Sequence, residues 1–261
     1  MSVHLVGGGR DLDAADAVYG RFVAEASRRA LSAGRAIPVV AVVVVAEQDD
    51  VDADVDWFAD ALGRCGEVRI EPLTAAETAV LAGAPLRLPA GQGLDDARFS
   101  RLDGVLVGGG LTPAYHRLLQ PYAGELSSAV SGGLPYLGFS AGAMIAGRHA
   151  LLGGWRLGPV AVTHEDNAED LDQVTVEPGL GLVPGSIEVH TAQWGTLSRM
   201  VAAVDAGATD QGIAVDENTV VIMDPTTDTS PSPMEVRGAG QAWLVAPGEH
   251  AVRVERRPAG G

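Results

Sequence analysis

Residues 134–147 read LPYLGFSAGAMIAG and carry Ser140, the side chain of this chain best placed to act as a nucleophile. An apolar run through Leu134, Tyr136 and Leu137 stops at Gly138, and an Ala/Gly-rich helical pattern starts behind the serine. That order writes a strand, a sharp turn and a helix. Such a turn holds its serine in a strained backbone conformation at the top of a sheet, and small neighbours let the helix begin close behind it. The helix N-terminus then offers free N–H groups to an oxyanion. The same letters also fit a small-residue strand-to-helix turn whose serine does nothing.

A serine nucleophile needs a base, and the sequence holds six histidines. His4 falls in the first apolar strand and reads as core. His116 and His149 fall on helical patterns near the serine or the second glycine cluster. His164 sits in the acidic stretch THEDNAED, which reads as a solvated loop rather than a metal-ligand cluster, and His250 sits in a C-terminal turn. His190 is better placed. It ends the short strand of GLGLVPGSIEV and precedes a helical pattern over residues 193–204, so its ring points into a loop. The acid is open between Asp216 and Glu217, which end the apolar stretch 212–215. Adjacent strand residues face opposite ways, so only one of them can meet a histidine.

These residues need a scaffold that brings them together. The chain alternates strand and helix patterns: a strand over 3–6, a helix over 14–33 with Ala17, Val18, Phe22, Val23 and Ala26 on one stripe, a Val-rich strand over 37–46, a helix over 55–62, and a strand over 68–73. A strand over 104–107 follows, then a helix through Leu119 with Thr112 as its N-cap, and a strand over 134–139. The Val-rich run suits a parallel strand buried on both faces. The rhythm predicts an α/β fold with a doubly wound, mainly parallel sheet. After about residue 151 the segments shorten (174–176, 187–189, 212–216, 219–223, 242–245, 252–254) and read as hairpins and edge strands, a β-rich C-terminal third of one domain over 1–261. Residues 226–233 read as a surface loop and the terminal RRPAGG as a frayed tail.

Glycine triplets at Gly7–Gly9 and Gly108–Gly110 each end a strand. In an open parallel sheet ligands bind at that end, so both triplets belong near Ser140. Neither has dinucleotide-binding spacing, and a chain with no lysine cannot hold a GxxxxGK[ST] phosphate loop. The formal net charge of −16, with arginine supplying every basic residue, argues against nucleic acid or an anionic membrane as partner. No apolar run approaches the roughly 18 residues of a membrane span, and the N-terminus lacks a leader pattern, so a cytoplasmic protein is expected. One cysteine, Cys65, excludes an internal disulfide and a Cys-rich metal site. No cofactor or metal is expected. A homodimer is left open.

Five pieces in order, GGG after the first strand, DGVLVGGGLT, YLGFSAGAMIAG, GLGLVPGSIEVH with a helix ending LSRM, and GIAVDENTVV, resemble the cyanophycinase and dipeptidase E family of serine peptidases. The resemblance covers most of the chain. It implies a class I glutamine-amidotransferase-like (flavodoxin-like) fold and a Ser–His–Glu triad on Ser140, His190 and Glu217. Its oxyanion donors fall on the backbone N–H groups of Gly109 and Ala141. The implied substrate is a small peptide or amide, including isopeptide-type bonds.

The departures from the family pattern are informative. Cyanophycinases carry HFxxRGRxxR after the catalytic histidine. This chain has HTAQWGTLSR, which keeps Arg199 and puts Trp194 and Thr196 where the other two arginines stand. Leu111 and Thr112 follow the second triplet, where the relatives tend to have Gln or Asn. Gly110, Thr112, Trp194, Arg199 and Arg10 are the candidate substrate-binding residues. Arg199 is expected to hold a substrate carboxylate, whereas Arg10 fits a surface ion pair better. Cyanophycin is not the expected substrate. Two other classes compete with the peptidase: a catalytically silent binding or pathway protein, and a glutamine-amidotransferase-like subunit. The latter normally has cysteine where Ser140 stands.

Overall fold

A computed structural model describes residues 2–46, 51–83, 96–225 and 233–260. Its central sheet has seven strands. Five are parallel: β1 (Val3–Val6), β2 (Val39–Ala46), β3 (Arg69–Ala76), β4 (Gly104–Val107) and β5 (Tyr136–Phe139), lying side by side in the order β1-β5-β4-β2-β3. Thr219–Met223 pairs antiparallel with the free edge of β1, and Met234–Gly238 pairs antiparallel outside it. The fold is α/β, with a mostly parallel central sheet and added strands toward the C-terminus, as the alternating pattern predicts.

The Val-rich run makes this architecture readable. Every residue of β2 is buried. Val40, Val42 and Val44 pack with Phe22 of helix α1 (Ala15–Ser32) and Phe58 of helix α2 (Val51–Gly63). Val39, Ala41, Val43 and Val45 pack on the other face with Ala114, Leu119, Leu126 and Val130 of helices Thr112–Leu119 and Ala123–Ser131. Period-two alternation with both sets apolar is the mark of a strand covered on both sides.

A second sheet of four strands, Ser186–Glu188, Gly212–Val215, Gln241–Pro247 and Val252–Pro258, occupies the C-terminal third. Its first two strands are parallel, Glu188 lying opposite Ala214. The reading as hairpins and edge strands therefore holds only in part, since helix Leu197–Asp205 bridges this pair as a crossover. A parallel pair ends on one side, so the residues just past Glu188 and Val215 emerge together.

Several expectations are corrected. The helix behind Ser140 spans only Ala141–Met144, and His149 begins the strand His149–Gly153 instead of lying on a helix. Thr112 is the first residue of its helix, with Leu111 at the N-cap, and the Glu169 side chain accepts the Thr112 N–H at 2.8 Å. A carboxylate from a distant loop thus satisfies the helix end in place of a local cap. The RRPAGG segment is not frayed: Arg256, Arg257 and Pro258 belong to the last strand, and the Ala259 and Gly260 N–H groups donate to the Gly240 and Val236 carbonyls. On α1 the expected stripe holds at Val18, Phe22, Val23 and Ala26, which are buried together with Tyr19, but Ala17 is exposed. Most of the expected loop over 226–233 lies outside the described residues.

Candidate active site

Ser140 follows the last residue of β5, and its N–H still bonds the Val6 carbonyl of β1 at 2.9 Å. Its φ of 51° and ψ of −112° lie in a region that side chains rarely adopt. The turn closes because glycine stands on both sides of the serine, at Gly138 and Gly142. A Cβ on Gly142 would sit 2.2 Å from the Val107 carbonyl oxygen, so the short helix can lie against the end of β4 only with glycine there.

His190 and Glu217 come from the other sheet, each just beyond one of the two parallel strands. His190 adopts a left-handed conformation, φ 52° and ψ 33°, and its N–H donates to the Gly7 carbonyl at 2.9 Å. The Ser140 Oγ lies 2.9 Å from His190 Nε2, and His190 Nδ1 lies 2.7 Å from Glu217 Oε1. Asp216 is turned away. One of its oxygens accepts the Ala192 N–H at 3.1 Å and the other the Gln241 N–H at 3.2 Å, so it ties the histidine's loop to the second sheet. The structure thereby separates two neighbouring acids that strand periodicity alone leaves open.

The first glycine triplet serves the histidine rather than a ligand. Gly8 has φ 95°, and a Cβ on it would stand 2.1 Å from His190 Cε1. The Gly8 carbonyl accepts the Asn218 N–H at 2.7 Å, next to Glu217. The end of β1 is therefore the platform on which the imidazole and the acid loop both rest. On the other side of the serine, Gly109 and Gly110 line the cleft. Among the described residues, the Gly109 and Ala141 N–H groups have no hydrogen-bond acceptor. Unpaired donors flanking a serine suit a developing oxyanion.

His190 is largely buried, and burial pushes its pKa below the ordinary 6.5; the Glu217 carboxylate opposes this without overcoming it. The indole of Trp194 stacks on the imidazole, with ring centroids 3.9 Å apart and planes 8° from parallel. Trp194 is also half exposed and lines the cleft.

The remaining candidates divide. Arg10 lines the cleft, but its guanidinium is paired with Asp54 and lies 5.2 Å from the Trp57 ring centroid. Thr112 is fully buried, its hydroxyl directed to the Met144 sulfur at 3.4 Å, so its side chain does not face substrate. Arg199 is the larger correction. It is 2% exposed and lies behind the cleft wall. Its Nε and Nη2 hold both Glu188 oxygens at 2.8 Å, and its Nη1 donates to the carbonyls of Gly154 and Asn167. Four of its five N–H donors are engaged and the group is buried behind the wall, so it does not face a substrate carboxylate. The reason is Glu188, a carboxylate fully buried in a strand, which needs a cation there. Its place between Ile187 and Val189 was the sequence signal for that need.

Sequence reasoning missed part of the cleft wall. The acidic stretch is solvated as read, with Glu165, Asp166 and Asp170 exposed, but together with the half-buried Glu169 these residues also border the cleft of about 730 Å3 in front of Ser140. His164 pairs with Asp166 at 3.1 Å and is otherwise exposed. Cys65 sits against the Ala15 and Ala61 carbonyls, on α1 and α2.

A family model described as peptidase family S51 matches residues 91–228, just over half of the chain, and that span includes Ser140, His190 and Glu217. The chain belongs to peptidase family S51. It is a serine-type peptidase, in agreement with the resemblance to the cyanophycinase and dipeptidase E enzymes. No curated protein matches the chain. Membership in S51 is also consistent with the flavodoxin-like, glutamine-amidotransferase-like fold. No helix among the described residues is long and apolar enough to cross a membrane.

Proposed function

We propose that Ser140, His190 and Glu217 form the catalytic triad of this S51 peptidase and hydrolyse an amide bond of a small peptide. The observation that carries the reading is the unbroken line from Ser140 Oγ to His190 Nε2 at 2.9 Å and from His190 Nδ1 to Glu217 Oε1 at 2.7 Å. Glu217 holds the proton on Nδ1, which leaves Nε2 free to accept. Nε2 takes the Ser140 proton as Oγ bonds to the carbonyl carbon, and the carbonyl electron pair moves onto oxygen. The Gly109 and Ala141 N–H groups meet that oxyanion, where one such donor contributes about 2.7–4 kcal/mol. His190 then returns the proton to the leaving amine, and water repeats the sequence on the acyl-enzyme. Trp194 lies flat on the imidazole and favours its charged form through the ring's electron-rich face. We take residues 1–261 as one peptidase unit, because the nucleophile rests on one sheet, the base and acid on the other, and the histidine on the end of β1.

A pH profile tests the assignment of the base. His190 must be neutral to accept a proton, and its burial favours that form. The acid limb of kcat/KM is therefore expected to have its midpoint below pH 6.5, with activity retained as pH falls through that value. Glu217→Gln removes the charge that favours the imidazolium, so the midpoint moves lower still while the rate falls. A midpoint above 6.5, or one that Glu217→Gln raises, contradicts the assignment.

Gly8→Ala tests the platform. The new methyl would meet the imidazole ring at a position where φ already disfavours a side chain. Displacing the base by about 1 Å costs on the order of a hundredfold in rate. A kcat/KM within a few-fold of the parent would show that Gly8 does not set the ring.

A further inference from the structure

The imidazole of His190 is followed by a single turn of helix, Thr191–Trp194, set between two left-handed residues, His190 at φ 52° and Gly195 at φ 69°. The Trp194 N–H donates to the His190 carbonyl at 2.8 Å, which brings the indole back over the imidazole. One turn does not hold itself in water, because it fixes several residues for one hydrogen bond. Ala192, Gln193, Trp194 and Gly195 are exposed, so burial does not hold it either. Both of its ends are tied from outside. At the start, Asp216 accepts the Ala192 N–H at 3.1 Å and the Thr191 hydroxyl donates to the Val215 carbonyl at 3.0 Å. At the end, the Trp194 carbonyl is one of the groups that a helix leaves without an internal partner. It accepts from Asn167 Nδ2 at 2.9 Å.

Asn167 is the one buried residue of THEDNAED. Its Nδ2 also donates to Thr163 Oγ1 at 3.0 Å, and its own carbonyl accepts from Arg199, which is anchored on Glu188. A carbonyl acceptor requires the amide nitrogen on that side, and both Nδ2 hydrogens are then used. We propose that Asn167 is a positioning residue of the active site: by holding the Trp194 carbonyl it keeps the indole flat on the His190 ring and Nε2 aimed at Ser140. This role rests on the triad reading. It joins the loop bordering the cleft to the base, through Arg199, Asn167 and Trp194.

The test uses the full chain, with the rate at which a small neutral fluorophosphonate labels Ser140 as the measure of the base. Asn167→Asp keeps the shape but sets an oxygen against the Trp194 carbonyl. Trp194→Leu removes the indole, and Trp194→Phe keeps a flat ring. Asn167→Asp and Trp194→Leu are each expected to slow labelling by roughly tenfold to a hundredfold. The double variant should be no slower than the slower single one, because both remove the same contact. Trp194→Phe should recover most of the rate. A second readout is optical. An imidazolium in contact with an indole quenches its fluorescence far more than a neutral imidazole does. Emission of the parent should therefore fall as His190 takes up its proton, with the midpoint found on the acid limb of the labelling rate. The charged groups facing the ring, Glu217 and Glu188, are untouched by these substitutions. Trp194→Phe and Asn167→Asp should lose this step, while Trp57, Trp155 and Trp243 still emit. Effects that multiply in the double variant, or a quenching step unchanged in Asn167→Asp, overturn the proposal and leave the triad standing. Should Asn167→Asp fold poorly, the parent and Trp194→Leu decide: a parent without the step, or a Trp194→Leu that labels at the parental rate, overturns it. No labelling of Ser140 in the parent removes the triad, and this role with it.

Discussion

Ser140→Ala is expected to lower kcat/KM by roughly 10^4-fold or more, because a triad acts as a unit and loses nearly all of its rate with any one essential member. The fold should scarcely notice. Alanine keeps the Cβ that already sits at φ 51°, and the backbone bond to Val6 does not involve the hydroxyl. Among the described residues the only bond lost is the one between Oγ and His190. A shift in Tm of no more than about 2–4 °C is expected, the size that follows from about 1 kcal/mol in a protein of this length. Steady-state assay and thermal melting on the same preparation check both halves. Residual activity above a few per cent would place the nucleophile elsewhere, whereas a collapse in Tm would make Ser140 structural.

Arg199→Ala is expected to act in the opposite way, chiefly on stability. It leaves Glu188, which has no exposure, without its cation in a low-dielectric strand. Breaking such a pair from one side costs about 3–5 kcal/mol. It also releases the Gly154 and Asn167 carbonyls, which anchor the acidic wall of the cleft, so KM should rise along with the loss of stability. Urea denaturation measures the first effect. The double variant Arg199→Met, Glu188→Met should recover much of the lost stability, since no buried charge remains unpaired. A loss below about 1 kcal/mol for Arg199→Ala would mean that the pair is solvated and that the arginine is free to meet substrate after all.

The contrast between these two residues shows how far the sequence could be read. Ser140 announces itself through local chemistry: an apolar strand, small residues on both sides and a helix start. The strand over 104–107 and the double-faced strand β2 are legible for the same reason, because their neighbours in sequence fix their environment. Arg199 depends on partners 11, 32 and 45 residues away, and no spacing rule reports a long-range ion pair. The acidic loop is similar. Its composition is that of a solvated turn, and it faces the cleft because Arg199 and Thr112 hold it there. The choice of Glu217 over Asp216 lies between the two cases. Periodicity says that only one can face the histidine; Glu217 does so, while Asp216 accepts the Ala192 and Gln241 N–H groups, partners 24 and 25 residues away that the sequence does not reveal.

Mass spectrometric mapping of the protein after treatment with a neutral fluorophosphonate tests the central claim most directly, since such a probe bonds covalently only to a serine whose hydroxyl is activated by a base. One adduct per chain is predicted, on the peptide carrying Ser140, absent from Ser140→Ala and formed far more slowly in His190→Ala. An unmodified Ser140 in folded protein, or an adduct on another residue, would contradict the triad.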